Sequence, residues 1–311
     1  MPQTIAELVA APDATAPAIG APDRLWLDFA GLRAQGATTA AALHRAGIGR
    51  GDRVAIVLPN GPEMAAAFLT VAQAAVTCPL NPAYRREEFD FYLGDLGACA
   101  IILAEGEAGA AHAAAVAAGL AILRLSAAPG GAAGQFSLRA EGAARRTPDV
   151  TLPGPGDVAL ILHTSGTTSR PKIVPLLHSN IAASARHIAA SLALSPMDRC
   201  LNMMPLFHIH GLIAAVTASL GAGASVWCAP GFDALRFFGW LEAARPSWYT
   251  AVPTMHQTIL ARAGRNADVI ARVPLRLIRS SSASLPAQVM RDLQRIGLAE
   301  KLGLAGVQSG G

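Results

Sequence analysis

Short apolar runs that could form β-strands alternate with longer segments of helical periodicity along almost the whole 311-residue chain. The run at residues 54–58 is typical. A turn at Asn60-Gly61 follows it, and Pro62 then opens a segment in which apolar residues recur at helical spacing. Because the strand candidates are continuously apolar, both faces of each sheet must be covered, as helices cover a parallel sheet. The pattern therefore predicts an α/β fold of largely parallel sheets flanked by helices.

Further elements of the same two kinds follow along the chain. The other strand candidates cover residues 100–103, 121–125, 158–162, 200–203, 224–228, 248–252 and 276–280. The helical segments cover residues 107–118, 179–192, 212–220, 234–244, 254–263 and a stretch that begins near Pro286. The segment 126–156, rich in Ala, Gly and Pro, is typical of a linker. We predict a first α/β subdomain over 1–155 with this linker at its end, a second over 156–293, and an atypical tail over 294–311.

The composition excludes several classes of protein. Hydrophobic residues make up 52% of the chain and charged residues 15%, which suits large buried cores and argues against disorder. The 25 basic and 21 acidic residues are scattered, so no nucleic-acid surface is predicted. The longest charge-free windows are broken by Pro or Gly, and the N-terminus does not resemble a secretory signal. We therefore expect a cytoplasmic protein without a membrane span, and leave its oligomeric state open.

A hydroxyl-rich loop follows the strand candidate 158–162. It reads HTSGTTSRPK over residues 163–172, with five hydroxyl side chains around Gly166 and Lys172 at its end. A loop at the carboxyl end of a parallel strand lies where α/β sheets bind ligands, and hydroxyl, backbone N–H and lysine groups all donate to phosphate oxygens. The spacing excludes a Walker A loop, because Pro171 stands at the second glycine position. The loop predicts a polyphosphate site, with an ordinary polar loop as the alternative.

The string TSGTTSRPK at residues 164–172 resembles the phosphate-binding signature of the adenylate-forming superfamily, which includes acyl-CoA synthetases, peptide-synthetase adenylation domains and luciferases. The resemblance extends to GDRVA at residues 51–55, MPLFHIHG at 204–211 and WYTAVPT at 248–254. Together with RLIRSSSASL at residues 276–285, these motifs look most like those of oxalate–CoA ligases and their close acyl-CoA synthetase relatives.

The resemblance implies an ATP-dependent carboxylate–CoA ligase that works through an acyl-adenylate, with ATP, Mg²⁺ and CoA as cofactors or co-substrates and oxalate or another small carboxylic acid as substrate. It implies that the loop holds the β- and γ-phosphates of ATP through Thr164, Ser165, Gly166, Thr167, Thr168 and Lys172. Two positions depart from the family pattern. Ser169 replaces a glycine, as it does in oxalate–CoA ligases, and Ile173 replaces the glycine after the lysine. A β-branched residue would be strained at Ile173 if that position required a positive φ.

Two histidines and a group of serines are further candidates. His208 and His210 are spaced to share one face of a strand, which would suit a metal pair, but no third ligand with a helpful spacing is near and we assign no metal site. By resemblance, His208 borders the acyl pocket and contacts the substrate carboxylate, and His210 lies behind it. Ser282 is a second substrate contact by the same resemblance, whereas Ser284 is placed to cap the following helix.

Some family features have no counterpart in this sequence. The resemblance implies a Tyr-x-x-Thr-Glu segment that supplies a magnesium ligand, and a mobile C-terminal domain with a catalytic lysine; we find neither, and Lys301 is not equated with that lysine. The tail 294–311 looks like the product of a frameshift or premature stop. We therefore assign no catalytic residue and expect little or no ligase activity from this chain. The alternatives are a non-catalytic nucleotide-binding remnant, a fragment of a medium-chain fatty acyl-CoA synthetase, and a metal-dependent hydrolase that uses His208 and His210.

Overall fold

Two β-sheets organise the protein in a computed structural model that describes residues 1–142, 144, 146–164, 171–296 and 298–304, the last six by their backbone alone. In chain order the strands are β1 (Pro17–Gly20), β2 (Leu27–Asp28), β3 (Arg53–Val57), β4 (Val76–Pro79), β5 (Ala100–Ala104), β6 (Ala121–Ala127), β7 (Phe136–Glu141), β8 (Val158–Thr164), β9 (Lys172–Leu177), β10 (Arg199–Asn202), β11 (Ser225–Cys228), β12 (Trp248–Ala251), β13 (Leu275–Ser280) and β14 (Ala299–Leu304).

Helices connect most of these strands. They are α1 (Ile5–Ala10), α2 (Phe29–Arg45), α3 (Pro62–Val71), α4 (Arg86–Leu96), α5 (Ala110–Ala117), α6 (His178–Ser191), α7 (Ala218–Gly221), α8 (Phe237–Ala244), α9 (Pro253–Ala263), α10 (Ala267–Arg272) and α11 (Ala287–Arg295). A π-helical segment, His210–Thr217, runs directly into α7. None of the helices in the described residues combines the length and the apolar composition needed to cross a bilayer.

Each sheet has a parallel centre. The first sheet has the order β7-β6-β5-β3-β4-β8-β9, in which only the outer strands β7 and β9 pair antiparallel with their neighbours. The second sheet has the order β14-β13-β12-β10-β11-β1-β2, parallel from β14 to β1. The predicted fold class is confirmed.

Helix α3 occupies the space between the two sheets. Its sequence PEMAAAFLTV is apolar on all sides, and every residue except Glu63 is buried. The helix contacts β3 and β4 of the first sheet and β1 and β11 of the second. The small side chains of Ala65, Ala66 and Ala67 are fully buried and allow close approach on both sides. The main hydrophobic core therefore lies at the junction of the sheets, with α3 at its centre.

The sequence missed the two antiparallel edge strands of the first sheet. The predicted linker 126–156 contains β7, in which buried and more exposed residues alternate from Phe136 onward. After the hydroxyl-rich loop the chain forms β9 instead of passing straight to a helix. The sheets also draw strands from both sides of the division proposed at 155/156, because β8 and β9 belong to the first sheet and β1 and β2 to the second. The division into subdomains stays a prediction.

Two local expectations were wrong. His208 and His210 do not share a strand, because residues 206–208 form a turn and His210 begins the π-helical segment. Ser284 does not cap the next helix, since Pro286 is the N-cap residue of α11 and no side chain bonds to that end.

Candidate functional site

The hairpin of β8 and β9 presents the hydroxyl-rich loop. Thr164 is the last residue of β8 and Lys172 the first of β9, and the two are direct partners across the hairpin. Both side chains are exposed at the base of the loop. Four other predicted phosphate contacts lie outside the described residues: Ser165, Gly166, Thr167 and Thr168.

Ile173 does not carry the strain that the sequence suggested. It pairs with His163 inside the hairpin, in extended backbone. In the described part of the chain, positive φ values at non-glycine residues occur at Asp23, Ala193, Arg245 and Ser282. A β-branched residue is therefore well suited to this position, because it lies in a strand.

His163 is held in a fixed orientation next to the loop. Its Nε2 lies 2.9 Å from Oδ2 of Asp95 in α4. The ring of Tyr92, one turn earlier on the same helix, packs edge-on against the imidazole with centroids 4.6 Å apart. Helix α4 therefore supports the end of β8 from which Thr164 projects. Sequence reasoning assigned no role to His163, although a histidine that directly follows an apolar run is the kind of signal that marks a site.

A cavity of about 290 Å³ separates the hairpin from the segment before the π-helix. Thr164, His163 and the apolar side chains Val174 and Leu176 line one side, and His208 and Ile209 line the other. His208 is largely exposed, and its partial burial lowers the pKa of its imidazole. The structure thus brings together a predicted phosphate contact, Thr164, and a predicted substrate contact, His208.

Two asparagines hold the segment that carries His208 in place through hydrogen bonds to its backbone. Asn202, at the end of β10, accepts a hydrogen bond of 3.1 Å from the backbone N–H of Met204. Asn60, in the turn after β3, accepts one of 2.8 Å from the N–H of Leu206 and donates one of 3.0 Å to the carbonyl of Ala229. Asn60 therefore ties the first sheet to two loops of the second. The turn predicted at this residue thus also positions the site.

Four polar residues at the carboxyl ends of neighbouring strands form what we call the His210 cluster: His210, Thr250 in β12, Arg279 in β13 and Ser282 after β13. Nε2 of His210 lies 2.6 Å from Oγ1 of Thr250 and 3.0 Å from Nη1 of Arg279. Nη1 of Arg279 also donates to Oγ1 of Thr250 at 3.2 Å. Nδ1 of His210 lies 3.2 Å from Oγ of Ser282. Because Thr250 and Arg279 are register partners, the sheet itself sets this geometry.

The charges of the cluster are unusual for a protein interior. Arg279 is only 8% exposed, and among the described residues no carboxylate forms an ion pair with it. Burial lowers the pKa of its guanidinium, and burial together with the nearby positive charge of Arg279 lowers the pKa of His210 to about 4. His210 is therefore neutral at pH 7. A buried cation without a counterion is costly, and such groups are concentrated at functional sites.

Ser282 stands at the open side of the cluster in a strained backbone conformation. Its φ is 72°, in the left-handed region that non-glycine residues rarely adopt, and its side chain is exposed. The structure places Ser282 against His210, where the sequence had paired it with His208 as a second substrate contact. Sequence reasoning missed Thr250, although it interrupts an otherwise apolar strand, and Arg279, which lies in a strand that also contains Arg276 and Ser280.

A metal site is not supported by the described residues. No group of three or more His, Cys, Asp and Glu side chains is close enough there to hold an ion. Both ring nitrogens of His210 face protein groups, and one of those groups is the cationic Arg279. A larger cleft, of about 700 Å³ beside Trp26, Trp227 and Trp240, contains none of the predicted site residues.

The two sheets define an α/β protein. Hydrogen-bond donors and a buried cation lie at the carboxyl ends of the strands, which is where such sheets bind ligands. The family model described as "AMP-binding enzyme" matches residues 7–304, and the chain belongs to that family.

Among curated proteins, the chain is similar to a probable CoA ligase of Humulus lupulus, CCL9, with 41% identity over 82% of this chain and 49% of that protein. It is 41% identical to an oxalate–CoA ligase of Arabidopsis thaliana over 80% of this chain and 49% of that one. The chain spans about half the length of these relatives. Among solved structures it is similar to apo MatB from Rhodopseudomonas palustris, with a TM-score of 0.79, 26% identity, and coverage of 95% of this chain and 58% of that one.

Proposed function

We propose that this chain carries the nucleotide- and carboxylate-binding part of an ATP-dependent carboxylate–CoA ligase for oxalate or another small dicarboxylic acid. The family match supports the general class, and relatives named as oxalate–CoA ligases support the substrate. The observation that carries the proposal is that Thr164 and His208 line one cavity. His210 lies two residues after His208 and forms the hydrogen-bonded cluster with Arg279 and Ser282.

The proposed roles follow from the chemistry of each group. Lys172 and the hydroxyl and backbone N–H groups of the loop bind the β- and γ-phosphates of ATP. An oxygen of the substrate carboxylate attacks the α-phosphorus, the bond to the β-phosphate oxygen breaks, and pyrophosphate leaves. The CoA thiol then attacks the acyl carbon, and AMP leaves. The loop contributes positioning and charge neutralisation, which such transfers chiefly require.

Two exposed polar side chains, His208 and Ser282, favour a small dicarboxylate over a fatty acid. His208 lines the cavity with an imidazole group, and Ser282, the exposed member of the His210 cluster, presents a hydroxyl group. An alkyl chain placed against these groups would leave them without partners, which costs free energy at each one. A second carboxylate would instead accept their hydrogen bonds. The proposed contacts to this carboxylate are His208 and Ser282.

Calorimetry with ATP and an ATP–pyrophosphate exchange assay test this proposal. We expect ATP binding, and an exchange rate that, although low as the sequence predicts, depends on oxalate and exceeds that with acetate or octanoate. Lys172→Ala should weaken ATP binding, whereas Arg265→Ala, which removes an exposed cation elsewhere, should not. ATP binding without exchange would favour the nucleotide-binding remnant, exchange driven by octanoate would favour a fatty acid ligase, and absence of ATP binding would refute the proposal.

A further inference from the structure

We propose that Arg279 is a positioning residue that fixes the tautomer of His210 and thereby makes Ser282 a hydrogen-bond donor to the second carboxylate of the substrate. The inference rests on the proposed function, because it concerns how the same site recognises its acid. It adds a residue that sequence reasoning did not identify.

The first step concerns the proton on Nε2 of His210. A guanidinium group only donates hydrogen bonds and stays charged at all physiological pH values. Nη1 of Arg279 lies 3.0 Å from Nε2, so Nε2 must present its lone pair. The hydroxyl of Thr250, 2.6 Å away, accepts from Arg279 and can donate to the same nitrogen. Nε2 therefore carries no proton.

The second step follows from the chemistry of neutral imidazole, which has one N–H group. With Nε2 unprotonated, the proton is on Nδ1, which faces Oγ of Ser282 at 3.2 Å. Nδ1 donates, and Ser282 accepts. A second proton, on Nε2, would point at Arg279, in agreement with the pKa of about 4 for His210. The tautomer is thus fixed from the interior of the sheet.

The third step gives the direction of the remaining donor. Because the Ser282 oxygen accepts from His210, its own O–H group is free to donate on the exposed side. In this series of hydrogen bonds Arg279 donates to His210, His210 donates to Ser282, and Ser282 is left to donate toward the exposed side. The buried positive charge of Arg279 polarises each of these bonds in the same direction. The ligand that fits is an anionic oxygen. A carboxylate satisfies the hydroxyl, whereas a methyl group at the same place leaves it unpaired.

Nitrogen NMR of the full chain labelled with ¹⁵N-histidine tests the tautomer, with the His210 signals assigned by their loss in His210→Asn. We expect the Nδ1–H form in the wild type. Arg279→Met should populate the Nε2–H form, and Arg279→Lys, which keeps a cationic donor, should restore Nδ1–H at least in part. Arg265→Met is the matched control on the surface and should leave the His210 signals unchanged.

Calorimetry with oxalate and acetate tests the consequence for recognition. Arg279→Met should weaken oxalate binding roughly 10-fold to 100-fold, the range for a lost hydrogen bond to a charged group. Acetate binding should change by less than about threefold, because its methyl group makes no use of the donor. Ser282→Ala should weaken oxalate binding to a similar extent while the tautomer of His210 stays Nδ1–H.

Each outcome is decisive. An Nε2–H tautomer in the wild type, or an unchanged tautomer in Arg279→Met, overturns the inference. Oxalate affinity that survives Ser282→Ala overturns the donor role of Ser282. If the wild type binds no oxalate yet the tautomer changes as expected, the proposed substrate fails while the positioning role of Arg279 stands. If circular dichroism shows that Arg279→Met is unfolded, the Arg279→Lys and Ser282→Ala variants decide.

Discussion

Replacing Asp198 with asparagine should destabilise the second sheet strongly. Asp198 precedes β10 and is 5% exposed. Its Oδ1 accepts from Oγ of Ser247 at 2.6 Å and from Nε of Arg276 at 3.0 Å, and its Oδ2 accepts from the N–H and the hydroxyl of Ser195 at 2.8 and 3.1 Å. The carboxylate therefore links the segments that lead into β10 and β12 to β13.

The magnitude follows from these contacts. An amide has one acceptor oxygen, so two of the four donors lose their acceptor and face an NH₂ group; the hydroxyl of that pair can turn to accept, but the N–H cannot. Hydrogen bonds to a charged group contribute about 1.5–3 kcal/mol each, and breaking a buried ion pair costs about 3–5 kcal/mol. Because the side chain of Arg276 is one-third exposed, solvent compensates part of the loss. We expect a destabilisation of about 3 kcal/mol.

Urea unfolding followed by tryptophan fluorescence measures this change through the shift in midpoint at constant slope. Asp268→Asn is the matched control, since Asp268 forms an exposed ion pair with Arg272 and its loss should leave the midpoint nearly unchanged. Burial alone would raise the pKa of Asp198, but the bonds from Ser247, Ser195 and Arg276 outweigh it and lower the pKa. The contribution of ionised Asp198 to the free energy of unfolding should therefore be present above about pH 4 and be lost at lower pH. A loss below about 1 kcal/mol for Asp198→Asn would refute the reasoning.

Three further predictions concern the buried histidines, one glycine and the link between the sheets. Burial lowers the pKa of His210 and of His256 to about 4. Because the unfolded chain then binds protons that the folded protein does not, the free energy of unfolding should fall as the pH drops from about 6.5 toward 4. The fall should be at most about 1.4 kcal/mol per pH unit for each histidine. Thermal melts across this range check it, and a slope that His256→Asn leaves unchanged would contradict it. A Cβ on Gly211 would collide with the carbonyl oxygen of Pro205, so Gly211→Ala should lower the melting temperature, whereas Gly239→Ala, in an open helical position, should maintain or raise it. Asn60→Ala should cost about 1–3 kcal/mol in urea unfolding by removing two hydrogen bonds between the sheets, and a neutral effect would show that other contacts hold the loops.

The sequence was informative where burial is complete. The run at 54–58 corresponds to β3 (Arg53–Val57), and the helical pattern after Pro62 corresponds to α3, because continuous apolar composition leaves few alternatives to a buried strand or helix. The edge strands β7 and β9 escaped detection for the opposite reason. Both are half-exposed; β7 alternates polar and apolar residues, and β9 contains Pro175, which lacks the N–H group that a strand uses for pairing. Each pairs in a hairpin with the strand directly before it, so the pairing is local, but a half-exposed edge strand produces no continuous apolar run that would mark it in the sequence.

The site was predictable only in part. The loop ending in Lys172 has a local signature, and so does the serine group that contains Ser282. Arg279 has none, because 23 of the 25 basic residues are arginines and a single one carries no signal. Its importance comes from register: β13 places it beside Thr250, and the start of the π-helix brings His210 above both. Such a contact between three separate elements is a property of the tertiary fold.

The position of β1 has a consequence for assembly of the protein. Ile19, near the start of the chain, pairs with Val226 of β11, and β2 closes the edge beside it. The second sheet therefore cannot be completed until most of the chain has been synthesised, and until then β1 lacks its partner β11. Closing so long a loop makes this a late step in folding. A cut within residues 126–156 would thus yield two pieces that each lack strands of their own sheet, although that stretch resembles a domain boundary.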